Sequence, residues 1–570
     1  MAGPASSFCA AMRFRSILLA GLVWSGPAMP ADLLPATQYD PAHRGGTLRL
    51  AADGPGGTID PAINYQSEFA QLFTVTYDGL TTFRKARGRA SDEAIADLAE
   101  ALPEPLDGGL TYVFHLRRGI RFSDGREVRV ADVVASMRRL FIVHSPTSGS
   151  FFGSIVGADA CLRDSSHCTL PGVIGDEAAG TITFHLTHPD ADFFDKLAFP
   201  HASILPADTP LHDLGNDAPP TTGPYRFVSY NPNSQLVMER NPFFHVWNAE
   251  AQPDGYADRI VYTFGVPDEA QVTAVENGQY DWGFDNIPLD RLGELGDRFT
   301  AQTHIEGLYA IYYITMNTRL APFDNVLVRR AINYAVNRHA ISILYGGTAI
   351  SQPLCDMTPP GIAGHVGTCP YTKGADLDHP APAWAAPDME RAKQLVEQSG
   401  TRGQHITLII SNRAAEQAMG AYLQSMLTEL GYKTSLKAIT NDIQFNYIQN
   451  TNNRVQIALT DWYADYAKPS DFIYDLFSCT SFHPGSDASI NITGLCDPGI
   501  EALMDRAGVV SVTDRARGAQ LWADAGRAIQ ALAPTAPLIQ IDRVNVVSKR
   551  LGNFFTTDLY HLLFSQVWVR

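Results

Sequence analysis

The chain has 570 residues, 45% hydrophobic and 18% charged, a composition that excludes a disordered protein and provides for several hydrophobic cores. Forty-three Lys and Arg stand against sixty Asp and Glu, a formal charge of −17, which argues against a nucleic-acid binder because phosphate contacts need clustered cations. Length alone suggests about three or four domains, or one long domain interrupted by another.

The N-terminal run "MRFRSILLAGLVWSGPAMPAD" has the order of a secretory signal peptide. Arg13 and Arg15 come first, an apolar stretch from Ile17 to Trp24 follows, and small residues end it. Residues 1–31 are read as this leader, with cleavage after Ala28 or Ala31 and Met12 as an alternative start. A buried N-terminal helix is the competing reading. Cys9 precedes the apolar stretch, and no cysteine follows where a lipid anchor would need one. No later stretch is long enough to span a bilayer. The expectation is an exported, periplasmic, soluble chain.

After the leader, "GGTLRLAADGPGGTIDP" (45–61) reads as a strand and a Gly/Pro-rich turn, and "LTYVFHLRRGIRFSDG" (110–125) as strands ending in a Ser-Asp-Gly turn. "VRVADVVASMRRLF" has helical spacing through Val130, Val133, Val134 and Met137. "TITFHLTHPDADFFDKLAF" is a strand passing into a short helix. "DNVLVRRAINYAVNRHAISILYGG" reads as one helix with Val328, Ala331, Ile332, Ala335 and Val336 on one face. Asp324 or Asn325 caps it, Gly346-Gly347 closes it, and Arg329 and Arg330 lie on a solvated or interdomain side. "HITLII", "AAEQAMGAYLQSMLTEL" and "KTSLKAI" form a βαβ unit, and "VQIALT" adds a further strand. The stretch "DWYADYAKPSDFIY" (461–474) therefore sits at the carboxyl end of a strand in an α/β sheet, where ligands bind in open sheets.

Six cysteines follow the leader: Cys161, Cys168, Cys355, Cys369, Cys479 and Cys496. An even count in an exported chain favours disulfides, and proximity suggests three local pairs among the fifteen connectivities six cysteines allow. The spacings are not those of a zinc site. His185, His188, Asp190 and Asp192 lie close in sequence, but His185 falls in a strand pattern, so a structural role is preferred to a metal site. No cofactor is expected. No Gly-x-Ser-x-Gly elbow, His-Glu-x-x-His or phosphate-binding loop occurs, so a secreted hydrolase has no residue to nominate. A periplasmic chaperone is the remaining rival class.

Several segments together resemble the extracytoplasmic solute-binding proteins of ABC importers, family 5, which include oligopeptide- and dipeptide-binding proteins. They are "TYVFHLRRGIRFSDGREVRVADVVASMRRL" (111–140), "TTGPYRFVSYNPNSQLVMERNPFF" (221–244), "ENGQYDW" (276–282), "YYITMNTRLAPFDNVLVRRAINYAVNR" (312–338) and the 461–474 stretch. The resemblance implies an α/β, two-lobed periplasmic-binding-protein fold with mixed sheets (type II, cluster C-like) and an extra domain inserted in the first lobe. It implies domain I at 44–88, 221–307 and 541–570, domain II at 89–220 and domain III at 308–540.

It also implies a monomeric binder of a peptide or other small solute, partnered by an inner-membrane permease with cytoplasmic ATPase subunits. In peptide-binding members an aspartate in a Trp-x-Ala-Asp-Tyr motif anchors the ligand's ammonium, a role that falls here on Asp465 of "WYADY". Tyr463 would offer backbone groups, and Trp462 and Tyr466 would wall the cleft. Tyr65 lies about where such a binder places a second acid, and Phe152 (with Phe151) near a pocket aromatic. The chain departs from the family pattern at Asp461, commonly Gly, and at Lys468, often an acid. These departures leave a sugar, nickel complex or haem open as alternative cargo. On the residues alone, Asp465 also fits a surface turn or helix cap, and Trp462 and Tyr463 fit an ordinary core.

Overall fold

Alternation places Leu48 and Leu50 on the buried face of the strand Thr47–Ala51, which seeds the first sheet. The computed structural model describes residues 35–54 and 56–570; the leader expected over 1–31 lies outside the described residues. Thr47–Ala51 pairs in parallel with Trp282–Gly283 on one side and Arg259–Thr263 on the other. The antiparallel strands Gln235–Arg240 and Tyr225–Asn231, from the expected "TTGPYRF" segment, complete five strands.

A three-stranded antiparallel sheet, Thr111–His115, Thr181–His185 and Val173–Asp176, lies within the stretch between Thr47–Ala51 and that pair. The helix Val130–Ile142 packs on it through Val130, Val133 and Met137, the expected stripe, with Val134 half-buried. Arg139 on this helix donates to both carboxylate oxygens of Asp60, at 2.8 and 2.5 Å, and neither side chain is more than 3% exposed. Asp60 also accepts from the Ala62 and Leu214 amides, so one ion pair ties the insert to the turn that follows the first strand.

The second lobe is built on a mixed six-stranded sheet. Its order is Ser351–Pro353, Thr535–Val546, Thr303–Met316, Ile457–Tyr463, His405–Ser411 and Lys433–Ile439. The last two strands are parallel and joined by the helix Ala414–Glu429, the βαβ unit read from the sequence. The architecture is thus α/β and two-lobed. Thr303–Met316 and Thr535–Val546 run antiparallel from Thr315↔Thr535 to Thr303↔Val546, with register shifts between Gly307 and Ala310 and between Tyr312 and Tyr313. At their far end Val547 bridges Trp282, so this strand pair reaches the first sheet.

Two expectations are corrected. The run read as one helix is two, Val326–Ala335 and Arg338–Tyr345. The backbone turns extended at Val336, and Asn337 caps the second helix by accepting from the Ala340 amide at 3.0 Å. Periodicity concealed the break because Val336 is buried like the stripe before it. Arg329 does not lie on a solvated face: it is 5% exposed and donates to the carbonyls of Leu532 and Phe323, while Arg330 donates to Ala531. Both guanidiniums satisfy carbonyls at the C-terminus of the helix Arg515–Leu532, which the helix itself leaves unpaired. The cysteines form the three local disulfides, Cys161–Cys168, Cys355–Cys369 and Cys479–Cys496.

The helices Phe193–Ala198 of the insert and Pro469–Phe477 of the second lobe meet through charge as well as apolar packing. Lys468 pairs with Asp195 at 2.9 Å, and Ser470 donates to Asp192 at 2.5 Å. Behind them Lys196 holds Asp190 at 2.7 Å, and Tyr466 donates to Asp475 at 3.0 Å. The four residues weighed as metal ligands are spread over separate partners: Asp190 on Lys196, Asp192 on Ser470, His185 beside Thr111 at 3.2 Å and His188 beside Thr187 at 3.1 Å. Burial pushes the Asp475 carboxyl up to about 7, with Lys196 opposing it, and Asp192 up to about 6.

Two outcomes follow. Arg139→Met leaves Asp60 charged and buried, and should lower unfolding stability in urea by about 3–5 kcal/mol. Asp475 keeps its proton to higher pH when folded than the ordinary carboxylate value near 4 of an unfolded chain. Its contribution to stability is therefore present at low pH and is lost as pH rises from about 4 through about 7. Asp475→Asn retains an acceptor for Tyr466 without titrating. Between pH 5 and 8 the wild type should lose on the order of 2–3 kcal/mol relative to that variant, measured by parallel urea melts.

Candidate functional site

A cavity of about 440 Å³, within the range of small-molecule sites, opens between the lobes. One wall is the turn after the first strand, with Asn64 and Tyr65, and the start of the helix Ser67–Phe73, with Glu68. The opposite wall is the end of Ile457–Tyr463, with Asp461, Trp462, Tyr463 and Asp465. Arg413, Arg543, Phe284 and His561 line the remainder. The strand-end location read from the sequence is where this cavity lies.

The strand Ile457–Tyr463 pairs along its whole length with Thr303–Met316, but with His405–Ser411 only at Ile457 and Ala458. Beyond Ala458 that ladder ends: the Leu459 carbonyl accepts from the Gln444 side chain at 3.1 Å, and Asp461, Trp462 and Tyr463 line the cavity. The turn that follows is clamped by Asp471, which is fully buried in the first turn of Pro469–Phe477, where a carboxylate also suits the helix dipole. Its two oxygens accept from the Asp465 amide at 3.2 Å and the Trp462 indole at 3.1 Å. Pro469 at the helix start and the acid two residues later thus give "WYADYAKPSD" its shape.

Asp465 is held in this turn at 8% exposure, and Tyr65 from the opposite wall donates its hydroxyl to Oδ2. Burial holds the Asp465 carboxyl well above the usual carboxylate range; the Tyr65 hydrogen bond opposes this and Asp475 adds to it. No Lys, Arg or His among the described residues forms an ion pair with Asp465. Tyr65 packs edge-on against Trp462, with ring centroids 6.3 Å apart, and against Phe199 at 5.7 Å.

The other nominated aromatics lie elsewhere. Tyr466 and Phe152 are fully buried behind the cavity and do not line it. Tyr466 packs edge-on against Phe151, centroids 5.4 Å apart, in the apolar contact between insert and second lobe.

Around Asp461 the charges are mixed. Burial and then the neighbouring Glu416 push its carboxyl up to about 6, against the pull of Arg413. Glu416 itself accepts from Tyr312 at 3.1 Å and from the Ser411 amide at 3.2 Å. Arg413 also reaches Asp285 at 3.4 Å. Arg413, Arg543 and His561 were not nominated from the sequence. Arg413 follows the end of His405–Ser411, so the strand-end rule that found Asp465 applies to it too. Arg543 and His561 carry no local signal, since the final strand and loop enter the site only through tertiary pairing.

Comparison with known proteins agrees with this geometry. Residues 93–484 match the family described as bacterial extracellular solute-binding proteins, family 5 Middle. The periplasmic oligopeptide-binding protein OppA of Escherichia coli K12 is 23% identical over 542 residues, covering 90% of this chain and 94% of that one. The glutathione-binding protein GsiB of Pectobacterium atrosepticum is 26% identical over 465 residues, covering 78% and 80%. The structure of the ABC transporter-associated periplasmic binding protein DppA from Helicobacter pylori, in complex with the peptide STSA, matches with a TM-score of 0.77. That match is 21% identical and covers 92% of this chain and 98% of that one. With a two-lobed fold, a cavity between the lobes and a family match over more than half its length, the chain belongs to the bacterial extracellular solute-binding proteins of family 5.

Proposed function

We propose that this protein is the periplasmic binding subunit of an ABC importer and that its cargo is short peptides. The observation that carries the reading is Asp465, a buried carboxylate on the cavity wall with a tyrosine hydroxyl but no cation as partner. A ligand ammonium would supply the missing charge and make a charge-assisted hydrogen bond, whereas an unpaired carboxylate there is costly. The strand beyond Leu459, which has no strand partner on that edge, suits an extended peptide, which adds to a strand through its main chain and leaves side chains little constrained. Relatives named for oligopeptides and glutathione, and a structural neighbour holding a tetrapeptide, support the same ligand class.

The protein works by binding and release, without a covalent step. Domains I (44–88, 221–307, 541–570) and II (89–220) move as one lobe against domain III (308–540). The hinge is the shared strand pair, whose register shift at Gly307 and Ala310 falls at the crossing between them. Ligand held by Asp465 and Tyr65 bridges the lobes, and Lys468–Asp195 and Ser470–Asp192 close beside it. Ligand shifts the population toward closure by binding that state more tightly, and the closed form is what a membrane permease would accept. No helix among the described residues is long and apolar enough to cross a membrane, so translocation belongs to that partner.

Mass spectrometry of whatever is released by denaturing the exported protein should find short peptides with free N-termini. A single sugar or metal chelate would instead keep the import role and remove peptides as cargo. Asp465→Asn should weaken free-amine peptides by roughly 30-fold or more, the scale of losing one partner of a buried charge pair. N-acetylated peptides should change far less, as read by isothermal titration, and equal losses for both forms would remove the anchor.

A further inference from the structure

The cavity is more acidic than Asp465 alone makes it. Four carboxylates line it, Glu68, Asp461, Asp465 and Asp487, against two guanidiniums, Arg413 and Arg543. His561 adds no charge near neutral pH, because burial lowers its pKa. A zwitterionic peptide brings one charge of each sign and leaves the acidic excess in place. Asp461 carries part of that excess into the cavity. No Lys, Arg or His among the described residues forms an ion pair with it: Arg413 pairs with Asp285 at 3.4 Å, and Arg543 lies over the Phe284 and Trp282 rings, 4.8 and 5.3 Å from their centroids. The hydroxyl of Tyr312, its cross-strand neighbour, stands beside it but donates its proton to Glu416 at 3.1 Å. Its carboxyl, pushed up to about 6, is still ionised at neutral pH. A carboxylate withdrawn from water and left unpaired is costly unless a cation reaches it.

We propose that Asp461 is a specificity-determining residue that receives the charged end of a basic ligand side chain, so that the preferred cargo is cationic peptides. Strand geometry supplies the seat. Asp461 and Tyr463 are two residues apart and share one face of Ile457–Tyr463, while Trp462 points the other way, to Asp471. Both Asp461 and Tyr463 line the cavity. An arginine or lysine stem laid on the Tyr463 ring brings its charge to Asp461. Asp461 precedes Asp465 by four residues, on the order of 13 Å of extended chain. A ligand held by its ammonium at Asp465 and running back along the strand reaches Asp461 with the side chain of its second or third residue. The inference rests on the peptide reading above and adds a selectivity for basic side chains.

Isothermal titration with alanine tripeptides carrying arginine, or its neutral isostere citrulline, at the second or third position tests it. At one of these positions the wild type should bind the arginine peptide at least about tenfold more tightly, the scale of one hydrogen bond to a charged group. Asp461→Asn should bring that ratio to within about twofold of unity, and Asp461→Glu should retain part of it. Equal binding of arginine and citrulline peptides by the wild type at both positions would overturn the proposal and leave the peptide reading standing, and that comparison needs no variant to fold. An arginine preference unchanged in folded Asp461→Asn would overturn it as well. Failure of the wild type to bind any of these peptides would remove the peptide reading, and this role of Asp461 with it.

Discussion

The strand Thr303–Met316 lies between Ile457–Tyr463 and Thr535–Val546, antiparallel to both, and the chemistry of the cavity depends on that register. Strand geometry repeats every two residues, so a slip of one position would send each wall residue to the opposite face. The same strand pair extends past its register shift to the first sheet, where Val547 bridges Trp282. One pairing thus does two jobs: it carries the segments bearing Asp465 and Arg543 to the cavity from either side of Thr303–Met316, and it ties the lobes at a point where the ladder is interrupted. An interrupted ladder has fewer bonds to resist bending than a continuous one.

Buried charge is concentrated where the lobes meet. Asp465, Asp471, Asp475, Asp192 and Asp195 are each within 8% of full burial, with Lys196 and Lys468 as nearby cations. Burial raises each of these carboxyls from its ordinary value. Such groups are costly unless hydrogen-bonded, and nearly all are: Asp471 by an indole and an amide, Asp475 by Tyr466, Asp192 by Ser470, Asp195 by Lys468. Asp465 is the one of these that lines the cavity. Asp471 shapes the turn, while Asp465 stands on the cavity wall.

The departures from the family pattern acquire structural meaning here. Lys468 stands where an acid is common and pairs across the lobes with Asp195, so the exchange produces an attraction between them. Tyr65, on the opposite wall, donates a hydrogen bond to Asp465. Asp461, in place of glycine, faces Arg413 and Glu416 at the cavity wall.

Local chemistry in the chain determined much of this protein. Periodicity marked the helix Val130–Ile142 and the βαβ unit from His405 to Ile439, and cysteine proximity marked the three disulfides. The motif "WYADY" at a strand end marked one wall of the cavity. These are features whose cause lies within a few residues of their effect. Tertiary structure decided the rest. The helix break at Val336 depends on Asn337 capping and on Arg338, whose buried guanidinium donates to Leu354 and Pro537 from distant segments. Tyr466 and Phe152 lie behind the cavity because the insert packs against the second lobe there, which no spacing in either segment reveals. Arg543 enters the site from 78 positions beyond Asp465 only because both strands pair with the same central one. A strand's pattern specifies which residues share a face, whereas its neighbours in the sheet, chosen by long-range hydrogen bonding, specify what that face meets.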